Sequence, residues 1–174
     1  MKPLLTFSAA VLVVMACNDD ITGLGPPSDP ATEMFHPSLN ITIPAMTKTA
    51  SGVYYEDLVV GTGVTDSANT DSIYVDYAGY LKTGISFEAD TNIRFLLGEL
   101  IVGFKTGVYG MKEGGRRILV IPSELGYGSR VIKDANNQIK VPRQSTLVFD
   151  VTLNKVFNKA PATPASLRAS NAGL

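Results

Sequence analysis

Residues 146–154 alternate: Leu147, Phe149, Val151 and Leu153 fall on one side, and Thr146, Val148, Asp150 and Thr152 on the other. A period of two with a mostly polar second face predicts an antiparallel strand that is wet on one side. Residues 72–81 repeat the pattern through Ile73, Val75 and Tyr77, and residues 117–121 form a β-branched run that Pro122 halts. A further strand is expected at 53–60, closed by Gly61, Thr62 and Gly63. The sheet therefore has four or five recognisable members. Helical spacing occurs once, where Leu100, Phe104, Val108 and Met111 recur at intervals of four, four and three before Glu113, Gly114 and Gly115 stop the run. Strands in series with a single helix predict an α+β fold, the helix covering one face of the sheet.

The two ends of the chain follow other rules. The apolar run at 4–16 is shorter than the roughly 20 residues a helix needs to cross a bilayer. With Lys2 as a positive n-region and residues 4–14 as an apolar h-region, residues 1–16 read as a signal peptide. Val14, Met15 and Ala16 lead into Cys17, the only cysteine, and this run resembles a bacterial lipobox. The resemblance implies lipid on the Cys17 sulfur and a membrane anchor, although Met15 departs from the usual small residue. A free cysteine in an ordinary signal peptide, discarded after cleavage, is the other reading. Asn18 stands where Asp would resemble an inner-membrane retention signal, so the expected location is the bacterial cell envelope, on the outer membrane facing the periplasm. Residues 17–48 carry Asp19, Asp20, Gly23, Gly25, Pro26, Pro27, Asp29 and Pro30 and read as a flexible tether. Its apolar residues, Met34, Phe35, Leu39, Ile41 and Ile43, are interrupted by Pro37 and Pro44, so at most a short edge strand is expected there. Residues 159–174, rich in Ala, Pro, Ser and Asn, are expected to be a disordered tail. The folded domain is placed at 49–158.

Length and charge narrow the function. The 174 residues suffice for one core plus tails. A formal charge of −1 argues against a nucleic-acid partner. Nucleophilic and metal chemistry lack side chains, because Cys17 lies at the processing site and the single histidine, His36, in the tether. No cofactor is expected. Asp76, Glu88, Asp90 and Glu124 show no spacing that singles out a pair, and each alone reads as a solvated charge. Heptads are absent, which makes a monomer the expectation.

What stands out is aromatic residues beside glycine turns: VDYAGYLKTG from Val75, SFEAD from Ser86, RFLLG from Arg94 and SELGYG from Ser123. In that order, together with MKEGGRRILVIPSELGYG and TLVFDVTL, they resemble the FKBP family of peptidyl-prolyl cis/trans isomerases over about 110 residues. The resemblance implies a bent antiparallel sheet of five or six strands wrapped around one short helix. It also implies an apolar pocket walled by Tyr77, Phe87, Phe95, Leu100, Ile101, Tyr127, Val141 and Phe149, with Phe104 as its floor. A proline ring would sit over Phe104 while the Ile101 N–H and the Tyr127 hydroxyl hold substrate carbonyls. Tyr77, Phe87 and Phe149 would contact the twisting bond, and Glu88 would orient a tyrosine hydroxyl. Two positions depart from the family: Phe104 stands where Trp is usual, and Glu88 where Asp is usual. Proline-containing polypeptides and FKBP-directed macrolides are the partners implied. Two rival readings use the same residues, a proline-binding module without turnover and a purely structural envelope lipoprotein.

Overall fold

A computed structural model describes residues 27–67 and 70–158. The expected signal peptide, Cys17 and the expected tail lie outside them. Among the described residues eight strands and one α-helix follow in the order β1 Thr47–Lys48, β2 Tyr54–Val59, β3 Thr70–Leu81, β4 Ser86–Leu96, α1 Val102–Val108, β5 Arg116–Ile121, β6 Ile132–Lys133, β7 Ile139–Val141 and β8 Leu147–Asn158. Six of the strands form one antiparallel sheet in the order β1-β2-β5-β8-β3-β4. This is the α+β architecture that the alternation predicts. The pair β6–β7 is a separate small ribbon in the loop before β8.

The strand expected at 146–154 is the centre of the sheet, paired on one side with β5 and on the other with β3. Its Leu147, Phe149, Val151 and Leu153 are buried beneath α1 with Ile73 and Val75 of β3 and Leu119 and Ile121 of β5. A helix of seven residues covers this face closely because its sheet-facing side is glycine. A Cβ on Gly103 would collide with Ile121, and one on Gly107 would come within 2.7 Å of Leu119. The helix is shorter than its apolar spacing suggests: Leu100 precedes it, and Tyr109 and Gly110, at φ +79°, turn the chain before Met111. Met111 is still buried, so the spacing marked the buried residues and not the helical ones.

Arg117 ties the helix to the sheet. Its guanidinium donates to both carboxylate oxygens of Asp57 at 2.6 and 2.9 Å, and to the carbonyls of Gly107 and Tyr109 at 2.8 and 3.2 Å. It thereby satisfies helix-end acceptors that have no partner within the helix. The same group lies over the Tyr55 ring, 4.2 Å from its centroid.

The opposite face differs from expectation. Residues 27–48 were expected as a flexible tether, yet much of this segment packs. Phe35, Leu39, Ile41, Ile43 and Met46 lie on Tyr54, Ile118, Val120 and Val148, the outward residues of β2, β5 and β8. The segment is pinned along its length. Ser28 and Ser123 exchange backbone-to-hydroxyl bonds at 3.1 and 2.7 Å, the His36 N–H donates to the Lys82 carbonyl at 2.8 Å, and Glu33 pairs with Lys82 at 2.8 Å. The stretch 34–43, where at most a short edge strand is expected, holds 3₁₀ turns at Pro37–Leu39 and, at its end, Ile43–Ala45, and the segment joins the sheet only beyond Pro44, as β1. Proline breaks regular structure in this segment but does not prevent burial, and the outer apolar residues of β5 and β8 need a cover.

Candidate active site

Between α1, β3, β4 and the turn after β5 lies a pocket of 220 Å³ lined by Tyr77, Glu88, Phe95, Glu99, Leu100, Ile101, Phe104, Tyr127 and Phe149. Each element brings its residues for a local reason. Tyr77 follows Ile73 and Val75 on the inward face of β3, at the period of two. Phe104 points from α1 into the core and is 3% exposed, which makes it the floor. Phe149 meets it edge to face at 5.2 Å between centroids. Tyr77 lies 5.4 Å from Phe95 and 6.3 Å from both Phe104 and Phe149. Tilted and edge-on rings at these distances suit their quadrupoles, and they hold the walls rigid.

Glu88 reaches the pocket through an irregularity in β4. Ser86 pairs with Tyr80 and Glu88 with Gly79, so Phe87 is an extra residue in the ladder. A bulge of this kind breaks the alternation, and consecutive residues no longer point to opposite faces. Phe87 is therefore buried in the core beneath the sheet while Glu88, its neighbour, edges the pocket. Gly79 makes room for this, since a Cβ there would come within 2.7 Å of Phe87 and 2.9 Å of Phe149.

Two expected wall residues stand behind the wall. Phe87 does not line the pocket but supports Phe149 edge-on at 5.6 Å. Val141, at the end of β7, is fully buried in the core. The family resemblance implies both on the surface of the pocket, and the bulge and the β6–β7 ribbon put them one layer deeper. Tyr77, Glu88, Phe95, Leu100, Ile101, Phe104, Tyr127 and Phe149 come together as expected. Glu99 also lines the rim and was not anticipated; a lone exposed carboxylate in a loop carries no signal in sequence.

The polar equipment is sparse. Burial raises the Tyr77 phenol well above its ordinary range, and the Glu88 carboxylate, as a neighbouring charge and an acceptor, raises it further. Burial and Glu88 also raise Tyr127, against the opposing charge of Arg130. Both hydroxyls therefore stay protonated and can donate. The Ile101 carbonyl accepts from Phe104 and Lys105 at 3.1 and 3.2 Å, whereas its N–H has no acceptor among the described residues. Among those residues, no group of three or more His, Cys, Asp or Glu side chains stands close enough to hold a metal ion. Larger depressions exist, but the one of 620 Å³ on the outer face is flanked by Asp76, Asp90, Asp150 and Arg116, with Tyr77 as the single aromatic residue of its lining. The smaller pocket joins five rings to the Ile101 N–H and the Tyr127 hydroxyl.

A family model described as FKBP-type peptidyl-prolyl cis-trans isomerase matches residues 63–154. The FK506-binding protein of Neisseria meningitidis serogroup B is 38% identical over 112 residues, which cover 61% of this chain and 97% of that protein. A peptidyl-prolyl cis-trans isomerase structure from Pseudomonas syringae pv. tomato superposes with a TM-score of 0.59 at 30% identity, over 67% of this chain and 83% of that one. FkpA from Escherichia coli gives 0.57 at 32% identity, over 67% of this chain and 53% of that one. Because the family match spans more than half of the chain and includes α1 and both pocket tyrosines, the protein belongs to the FKBP family and is a peptidyl-prolyl cis-trans isomerase.

Proposed function

We propose that this isomerase acts on X-Pro bonds of exported polypeptides at the bacterial cell envelope, held there by lipid on Cys17. We further infer that the proline binds in the pocket floored by Phe104. The observation that carries the site assignment is the convergence of two protonated phenols and one free backbone N–H on a pocket walled by rings.

The reaction needs little more. Rotation about X-Pro is slow because amide resonance must be lost, at a barrier of about 20 kcal/mol. No bond is made or broken, so a catalyst has only to hold the twisted amide better than the planar one. Ring walls exclude water, which favours the polar planar form. The proline ring stacks over Phe104, and the Ile101 N–H takes one substrate carbonyl. The Tyr127 hydroxyl donates to a second. Tyr77 and Phe149 border the carbonyl of the twisting bond, Phe87 holds Phe149 in place, and Glu88 orients the Tyr77 hydroxyl. The names of the neisserial relatives point to FK506-type macrolides as competitors for the same pocket.

The test uses a soluble form that begins at Asn18. Relaxation of a short peptide with Leu or Phe before Pro is expected to accelerate, and a macrolide is expected to abolish the effect. Macrolide binding without acceleration would leave a proline-binding module, and neither effect would remove the pocket assignment. The anchor is checked separately: Cys17→Ser is expected to move the protein from the membrane to the soluble fraction of the producing cell. Unchanged fractionation would refute lipidation without touching the enzyme.

A further inference from the structure

Leu100 has two sides. One faces the pocket of Tyr77 and Phe104; the other closes the end of a groove of 590 Å³ along the exposed flank of α1, lined by Tyr55, Leu97, Val102, Thr106 and Tyr109 among others. The groove continues over Leu97, Gly98, Lys105 and Tyr109 into a second depression of 470 Å³ that ends at Asp66. The three are joined through shared residues, and only the first belongs to the pocket already described.

The groove is apolar where the fold does not require it. Val102 and Tyr109, at the two ends of α1, are 59% and 58% exposed and contribute nothing to the core. Its floor is rigid, because Tyr55 lies beneath the Arg117 guanidinium that also binds Asp57 and the end of α1. At the far end Asp66 is 2% exposed; its carboxylate is bonded by the Thr70 side chain and the Ser67 backbone, but its Oδ1 has no hydrogen-bond partner among the described residues. A buried acceptor without a donor is costly, and such atoms are normally satisfied by something. Lys105 is the cation beside both depressions.

We propose that this groove holds the part of an unfolded client chain that leaves the proline pocket past Leu100. Its apolar side chains pack between Val102 and Tyr109, and a backbone N–H of the same chain reaches the Asp66 carboxylate. The inference rests on the pocket being the proline site. A polypeptide fits because the groove begins where the bound X-Pro ends, is walled by aliphatic and aromatic groups, and closes on an acceptor. Lys105 disfavours a basic residue beside it. The enzyme would thus recognise unfolded chain as well as proline, and a preformed groove keeps the ordering cost low.

The test compares a tetrapeptide containing Leu-Pro with two versions extended by an apolar segment, one before and one after the Leu-Pro pair. For the wild-type chain from Asn18, one extension is expected to raise kcat/KM about tenfold, through KM. The double variant Val102→Asn, Tyr109→Asn is expected to erase that gain while leaving the tetrapeptide rate and macrolide binding unchanged. Independently of any variant, the methyl resonances of Val102 and Leu97 are expected to shift with the favoured extended peptide and not with the tetrapeptide. Equal kcat/KM for all three peptides, or a double variant that keeps the gain, would overturn the groove while the pocket stands. No acceleration of any peptide would overturn the pocket, and the groove with it.

Discussion

The two faces of one sheet are built from the same strands and do different work. On β5, Leu119 and Ile121 face α1 while Ile118 and Val120 face outward, and on β8, Phe149 and Val151 are opposed by Val148 and Asp150. Both faces bury apolar residues. The inner cover is a helix and five rigid rings, which cannot close on one another completely and leave a pocket of 220 Å³ with donors at its edge. The outer cover is an irregular segment of aliphatic residues, whose freer side chains follow the surface until Val120 and Val148 are almost wholly enclosed. Burial therefore does not distinguish a site from a core. What distinguishes it is packing that stiff groups leave unfinished, next to a donor, the Ile101 N–H, that has no acceptor among the described residues.

The strongest test removes a ring that serves both packing and pocket. Phe149→Ala is expected to cost about 4 kcal/mol in urea unfolding and to abolish isomerisation of a short peptide, because the ring touches Phe87, Phe104 and Tyr77. Arg117→Ala is expected to cost about 3 kcal/mol, since it strands the Asp57 carboxylate and two helix-end carbonyls. Its peptide rate should fall less, as the residue acts only through the placement of α1.

Removal of the outer cover should separate stability from activity. A chain starting at Thr49 is expected to lose about 2 kcal/mol by exposing Val120, Val148 and Tyr54, with its peptide kcat/KM unchanged. A large fall in rate with native stability would reverse the division of labour between the faces. Tyr127→Phe is the mirror image: stability should be nearly unchanged, and the rate should drop about tenfold, the worth of one transition-state hydrogen bond.

The smallest effect is on pH. The Tyr77 phenol is raised in the native state above its ordinary 10.0, mainly by burial and then by Glu88. In the unfolded chain it ionises at the ordinary value, so its contribution to stability is complete below that pH and is lost as pH rises toward the native value. Unfolding monitored by circular dichroism should show a decline above about pH 10 that Tyr77→Phe reduces, while the peptide rate stays flat from about pH 6 to about pH 9.

Much of this arrangement can be read along the chain, and the misses have physical causes. The central strands are legible because one face of each is buried and the other is not, which writes a period of two. β4 is illegible because it is an edge strand, exposed along most of its length, with shifts in register at Phe87 and again near Asn92, which has φ +52°. Those same shifts let Phe87 and Glu88 take up places that alternation forbids. The packed segment at 27–48 hides for another reason. Pro37 and Pro44 mark broken backbone, and nothing local tells whether broken backbone is covered surface or free tether.

From its amino acids alone the chain determines an α+β domain, the inward residues of β3, β5 and β8, and the set of rings that signals a prolyl isomerase. These depend on patterns within single segments, where side-chain direction follows from backbone period. Only the tertiary structure decides which rings line the pocket and which stand behind it, that the N-terminal segment seals the outer face, and that Arg117 joins β2, β5 and α1. Each of these depends on bulges and contacts between segments far apart in the chain, and no local period records them.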